Sequence, residues 1–246
     1  MTTYEWMRWF TFPVMPTILV TVRKDLKQLI KHHKKNNQTY TLLDVGGRKS
    51  PYTINLKSDI ALLDIPQESE TQEELNLGFT SDILTSIQKE RSNIKEVVIQ
   101  DMTRSTLKDE TYDAVVSVEV IEHVEEDELF VKNIAAVVKK GGWAYFTTPN
   151  GDYIKNEPPN NNPDHKRHYT RAELQTLLEK YFDRAEVIYA VKTGKYRLWG
   201  LKRFDIKNPL KLLKSMIGNV LNRYESKGLE STSVKTAHLI AKAYKY

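Results

Sequence analysis

Four carboxylates in this 246-residue chain fall at or just past the ends of strand-like apolar runs: Asp44, Asp64, Asp101 and Glu119. A lone acid in such a place can simply cap a helix. Four in succession point to a ligand site instead. The first run is Leu42-Leu43-Asp44-Val45-Gly46-Gly47-Arg48-Lys49-Ser50-Pro51. It reads as a buried strand passing into a tight turn, where Gly46 and Gly47 let backbone approach a ligand with no Cβ in the way. Asp64 closes Ile60-Ala61-Leu62-Leu63-Asp64 about twenty residues on, the offset at which nucleotide-binding sheets place a ribose-binding acid. Three histidines could move protons. His123 follows the fourth strand closely, and His165 and His168 flank Lys166-Arg167 in a polar loop after the fifth. Each has a plain alternative: a backbone-bonded structural histidine, or a solvated loop.

Positioning such groups requires alternating strands and helices. The spacing predicts a helix over Thr17 to His33, then strands over Tyr40 to Val45 and Asp59 to Asp64. A helix over Ser81 to Arg91 precedes strands over Glu96 to Gln100 and Asp113 to Val118. Leu129, Phe130, Ile134, Val137 and Val138 recur at helical steps, predicting a helix over Glu126 to Lys140 closed by Gly141-Gly142. A fifth strand runs from Trp143 to Thr148. Thr170 and Glu173 form a capping box for a helix reaching about Phe182. Ala185 to Val191 and Ala237 to Tyr244 are the last two strands. This alternation implies an α/β fold with a seven-stranded, mostly parallel sheet and helices on both faces. Ligands then sit at the carboxyl ends of the strands.

The chain is long enough for one sizeable core. Having no cysteine, it has no disulfide, thiolate nucleophile or cysteine-bound zinc. No signal peptide and no run of spanning length is evident, and a cytoplasmic protein is expected. The net charge of +5 is uneven. Lys192 to Lys227 holds ten Lys or Arg against two acids, a surplus of +8, which leaves −3 for the rest. That patch favours an anionic partner, or is only a solvated basic face.

These residues resemble the class I S-adenosylmethionine-dependent methyltransferases, in particular the small-molecule type and the ubiquinone-biosynthesis O-methyltransferases. Asp44-Val45-Gly46-Gly47 is similar to their first motif, Asp64-Ile65 to the ribose acid and its apolar neighbour, and Asp101-Met102 to the adenine-contacting pair. Val118-Glu119-Val120-Ile121-Glu122-His123-Val124 is the most distinctive match, and Asp164 to Leu174 resembles the segment leading into the next helix. The likeness runs from about Tyr40 to Phe182. The resemblance implies a Rossmann-like sheet with S-adenosylmethionine bound by Asp44, Gly46, Gly47, Asp64, Ile65, Asp101, Met102, Val118 and Glu119. One departure stands out: Arg48 and Ser50 occupy places where the family has its second and third glycines. The same turn argues against a dinucleotide dehydrogenase, since Pro51 stands where a glycine is needed.

Methyl transfer of this kind requires acceptor, methyl and sulfur in line, and a hydroxyl acceptor must also lose a proton. His123, His165 and His168 are the candidate bases. Glu119, Glu122 and His123 also resemble a Glu-x-x-Glu-His metal set found in some relatives, against the reading that no metal is held. The expected acceptor is a small molecule, glycan or lipid precursor, methylated on oxygen. Alternatives are an RNA or other nucleic-acid methyltransferase, and a partner protein that binds S-adenosylmethionine without turnover. The Asn-Pro-Pro-Tyr type of motif expected for base amino groups is absent after the fourth strand.

The chain divides into an N-terminal extension and leading helix (1–38), a core (39–191), a basic helical insertion (192–232) and a last strand (233–246). Leu210, Leu213, Ile217, Val220 and Tyr224 make Asn208 to Tyr224 an amphipathic helix. It is open to three readings: a lid that binds an anionic acceptor, a peripheral membrane contact, or packing against the body or a second copy. The aromatic start, Tyr4, Trp6, Trp9, Phe10 and Phe12, either folds over the acceptor pocket or packs at an edge.

Overall fold

The computed structural model describes residues 1–34, 39–47, 50–67, 78–158, 161–201 and 208–246. Helices α1 (Thr3–Thr11) and α2 (Thr17–His33) lead into β1 (Thr41–Val45) and β2 (Asp59–Asp64). Helix α3 (Ser81–Glu90), β3 (Ile94–Ile99), β4 (Tyr112–Val118), α4 (Asp127–Val137) and β5 (Val138–Pro149) follow. The chain closes with α5 (Arg171–Glu179), β6 (Arg184–Lys192), α6 (Lys195–Gly200), α7 (Pro209–Glu225) and β7 (Thr236–Tyr244). The seven strands form one sheet in the order β3-β2-β1-β4-β5-β7-β6, parallel except for β7, which runs against both neighbours.

Alternation along the strands sorts the core into two layers. Leu43, Val45, Leu63, Val115 and Phe146 face α4 and α5 and pack with Phe130, Ile134 and Leu174. Leu42, Ile60, Leu62, Val116 and Tyr145 face the other way, against Val22 and Leu26 of α2 and Ile87 of α3. Thr170 and Glu173 form the expected capping box of α5.

One expectation fails, and one of the two readings of the aromatic start is excluded, each for an identifiable reason. Helix α4 stops at Val137, and Lys139 to Gly142 belong to β5 rather than to a helix end. There the Gly141 N–H donates to the Lys245 carbonyl at 2.7 Å, and Lys245 N–H donates to Gly142 at 3.1 Å. Pairing with the end of β7 thus wins over local helix periodicity. The aromatic start does not cover the pocket either. Glu5 accepts hydrogen bonds from the backbone and hydroxyl of Ser92, just ahead of β3 and so at the far end of that strand from its carboxyl end. This pins the start of α1 there, and Trp6, Trp9 and Phe10 stay exposed.

The amphipathic helix forms as α7, with Asn208 as its cap, but turned over. Its buried residues are Ser215, Gly218, Asn219 and Asn222. A Cβ at Gly218 would lie 2.7 Å from the Trp199 side chain, so the small residue permits α6 and α7 to approach closely. Asn219 donates to the Val14 carbonyl at 2.8 Å and Asn222 to the Lys192 carbonyl at 2.8 Å. The apolar stripe therefore points to solvent.

Candidate active site

A cavity of about 330 Å³ opens at the carboxyl ends of the first four strands of the sequence. Val45 and Gly46 come from the end of β1, Asp64 and Ile65 from β2, Asp101 and Met102 from the turn after β3, and Val118, Glu119 and His123 from β4 and beyond. Gly46 takes a left-handed φ of +73°, and a Cβ there would meet Val120 Cγ2 at 2.5 Å. The turn is thus closed against Val120, and only glycine fits it. Asp101 caps a short 3-10 turn by accepting the Thr103 N–H at 2.8 Å. Asn133 of α4 holds that turn from behind, donating to the Met102 carbonyl at 2.8 Å and the Thr103 carbonyl at 3.0 Å. Asp64 accepts the Ile65 N–H at 2.9 Å.

Asp44 and Gly47 stand outside this lining. The Asp44 carboxylate is fully buried behind the glycine turn, where it accepts hydrogen bonds from the hydroxyls of Ser50, Tyr52 and Thr53. Burial pushes its pKa up to about 6, against the pull of Ser50, Arg91, Tyr52 and Thr53. A Cβ at Gly47 would lie 2.5 Å from Asp44 Cγ, so Gly47 makes room for that acid. Both shape the turn. Of the two departures in the first motif, Arg48 lies outside the described residues, and Ser50 is one of the hydroxyls that donate to Asp44. Pro51 opens a 3-10 turn, Pro51–Thr53, which supplies two of the groups around Asp44.

Glu119 adopts a left-handed φ of 55°. Its Oε1 accepts the Thr147 hydroxyl at 2.8 Å and lies 3.1 Å from His238 Nδ1. Arg197 of α6 reaches His238 Nε2 from the other side at 3.4 Å. Burial raises Glu119, but His238, Thr147 and Arg197 outweigh it and hold the carboxyl below its usual range. Thr147, His238 and Arg197 were not foreseen. His238 carries no motif, and only the antiparallel register that sets it opposite Pro149 brings it here.

The three candidate histidines meet. His168 Nδ1 lies 2.7 Å from the Ile154 carbonyl, so that nitrogen carries the proton and Nε2 accepts. His165 Nδ1 lies 2.7 Å from His168 Nε2 and therefore donates to it. Burial, with His123 and His168 beside it, pushes His165 down to about 4. His165 is then neutral, with its Nε2 lone pair free of this chain of bonds. His123 donates from Nδ1 to the Asp164 carbonyl at 3.1 Å, which also leaves Nε2 as the basic nitrogen. The His123 and His165 rings meet edge to face with centroids 4.7 Å apart. Only His123 of the three lines the cavity.

Glu122 is buried beside them, and its Oε2 has no hydrogen-bond partner among the described residues. Burial and the neighbouring Glu119 charge push its carboxyl well above the usual range. Ligand atoms of Glu122, His123 and His165 lie within 4.8 Å of one another. Of the alternative metal set that the resemblance offers beside the reading of no metal, Glu122 and His123 come together and Glu119 does not. Glu119 is turned to Thr147 and His238, and His165 takes its place. An orphaned carboxylate oxygen with two imidazoles suits a hard or borderline divalent cation.

Comparison with known proteins agrees with this geometry. Residues 74–146 match the methyltransferase domain family, less than a third of the chain. No curated protein matches the sequence. Among solved structures, the [4+2]-cyclase SpnF is similar with a TM-score of 0.54 and 14% identity over 90% of this chain and 80% of that one. A SAM-dependent methyltransferase from Archaeoglobus fulgidus is similar at 0.54 and 16%, over 91% and 94% of the two chains. One from Thermotoga maritima is similar at 0.55 and 16%, over 98% and 95%. At these identities the structures speak for the fold alone. The domain match over residues 74–146 and the acid-lined cavity thus lie on a fold shared with S-adenosylmethionine-dependent methyltransferases, to whose methyltransferase domain that stretch is similar.

Proposed function

We propose that this enzyme transfers a methyl group to a hydroxyl of a small-molecule, glycan or lipid-precursor acceptor, with His123 as general base. Bound S-adenosylmethionine would supply a methyl group already activated by its sulfonium. Asp64 would receive the ribose hydroxyls, Asp101 and Met102 would hold the adenine, and Gly46 would let the β1 turn approach the cofactor. The observation that carries the reading is the place of His123. Its ring lines the cavity shared with Asp64, Asp101 and Glu119, while the Asp164 carbonyl holds Nδ1 so that Nε2 is the proton acceptor. His165 and His168 support that ring without lining the cavity, which makes them positioning residues. A general base contributes about 10²–10⁴ in rate. His123→Ala should therefore lower methyl transfer to a panel of hydroxylated acceptors by about 100-fold or more. Affinity for S-adenosylhomocysteine should stay within about 2-fold, since the base serves the acceptor proton. Full turnover in this variant would remove the base assignment.

A second reading rests on the orphaned Glu122 Oε2. Glu122, His123 and His165 would hold a divalent ion that lowers the acidity barrier of an acceptor hydroxyl. Turnover lost in chelator and restored by magnesium, manganese or zinc would favour it over a free His123 base. Full activity in excess chelator would remove it.

A further inference from the structure

We propose that α7 and α1 form a docking face for an anionic lipid surface. The observation is the inverted α7. Leu210, Leu213, Ile217, Val220, Leu221 and Tyr224 form one stripe at three- and four-residue steps, and all are exposed, Leu210 at 78% and Tyr224 at 72%. The opposite, polar stripe is the one packed on the body. That packing is specific: Asn219, Asn222 and Ser226 are each hydrogen-bonded into neighbouring backbone. The orientation is therefore fixed by polar contacts that an apolar-inward rotation would break.

Helix α1 adds a second exposed group. Trp6 and Trp9 pack edge to face with centroids 5.7 Å apart, and Phe10 is 79% exposed. The two helices are joined. Helix α1 runs into the 3-10 turn Phe12–Val14, and Asn219 and Arg223 of α7 bind the carbonyls of Val14 and Pro13.

Charge selects the occupant. Lys211 and Lys214 are exposed beside the apolar stripe, and Lys227 lies over the Tyr224 ring with its ammonium 5.1 Å from the centroid. The only acid of α1, Glu5, is buried, so Arg8 sets the charge of its surface. The segment Lys192 to Lys227 carries the +8 surplus, while the rest of the chain is at −3. A helix with an exposed apolar face, basic flanks and aromatic neighbours lies in the plane of a bilayer surface and binds anionic headgroups. A second copy of the chain would set two +8 segments against each other, which opposes that contact. Helix α6 of the same insertion carries Arg197, which meets His238, the partner of the cavity residue Glu119.

The test uses the full chain and vesicles of phosphatidylcholine with and without phosphatidylglycerol, read by flotation. Binding to the phosphatidylglycerol vesicles is expected, weakened by salt as exposed charges are screened. The triple substitution Leu213→Ser, Ile217→Ser and Val220→Ser should lower that binding at least tenfold. Lys211→Glu with Lys214→Glu should do the same at low salt and less at high salt. Unchanged affinity for S-adenosylhomocysteine in both variants shows that they are folded. No binding of the wild type to phosphatidylglycerol vesicles, or equal binding by both folded variants, would overturn the proposal. So would a dimer in sedimentation velocity that the serine substitutions dissolve, which would give the face to a second copy.

Discussion

Glu119 Oε1 sits 3.1 Å from His238 Nδ1, joining the residue after β4 to a strand position 119 residues later. The same oxygen accepts the Thr147 hydroxyl at 2.8 Å. A non-glycine residue at φ 55° persists only when its surroundings over-determine it. Two side-chain partners and the Glu119 N–H bond to the Thr147 carbonyl supply that constraint. The Glu119 wall of the cavity is therefore set by tertiary contacts and not by local sequence.

The Glu119 pairing has a pH signature. Burial raises this carboxyl, but His238, Thr147 and Arg197 prevail and hold it low. A depressed carboxyl adds stability above its unfolded value of 4.5 and loses it as pH falls through the folded value. His238→Ala should cost about 1–3 kcal/mol near neutral pH. The gap from wild type should narrow as the solution is acidified below that unfolded value. Urea unfolding on both sides of it measures this, and a gap independent of pH would mean that a charged Glu119 is not the partner.

Asp44 has the opposite sign. Burial raises it from 3.8 to about 6, so the folded state holds its proton more tightly than the unfolded chain. Stability from this group is present at low pH and falls as pH rises through that window, then levels off. Relative to Asp44→Asn, the wild type should lose up to about 3 kcal/mol across it. A flat difference between the two proteins in urea unfolding would show Asp44 ionised throughout.

Much of this was legible beforehand because parallel strands buried on both faces leave strong apolar runs. Asp59 to Asp64 and Thr17 to His33 have the expected ends. The acids at strand ends led to the cavity for Asp64, Asp101 and Glu119, since topology alone places those ends together. Asp44 shows the limit: its neighbours Ser50, Tyr52 and Thr53 bury it, and no spacing rule separates a lining acid from one behind the turn. His238 and Arg197 were invisible because register and a helix packed across the sheet edge bring them in. The spacing from Leu210 to Tyr224 specifies a helix but not which of its faces packs on the body. Its polar stripe proved to be the packed one, through Asn219 and Asn222, which bond backbone carbonyls of other elements.

The β1 turn is predicted to tolerate no side chain at Gly46. Its left-handed φ and the 2.5 Å approach to Val120 should make Gly46→Ala destabilising by more than about 1 kcal/mol. Thermal unfolding measures that cost. The shift given by saturating S-adenosylhomocysteine should also shrink, because the same turn lines the cavity. Wild-type stability and ligand shift together would show that the turn can open.

Glu122 separates a metal ligand from a structural acid. Burial and the Glu119 charge push its carboxyl well above the usual range, toward the protonated form that glutamine resembles in shape. Glu122→Gln should therefore change stability by only about 0.5 kcal/mol while lowering manganese or zinc affinity at least tenfold. Unchanged metal affinity in calorimetry would leave Glu122 as a packing residue.

In the proposed site, the acid-lined cavity holds S-adenosylmethionine with Asp64 on the ribose. The direct measurement is calorimetric titration of S-adenosylhomocysteine into wild type and Asp64→Ala. A hydrogen bond to a charged group is worth about 1.5–3 kcal/mol, so the variant should bind at least about tenfold more weakly at one site. Equal affinity in the two proteins, or no binding by the wild type, would contradict the assignment.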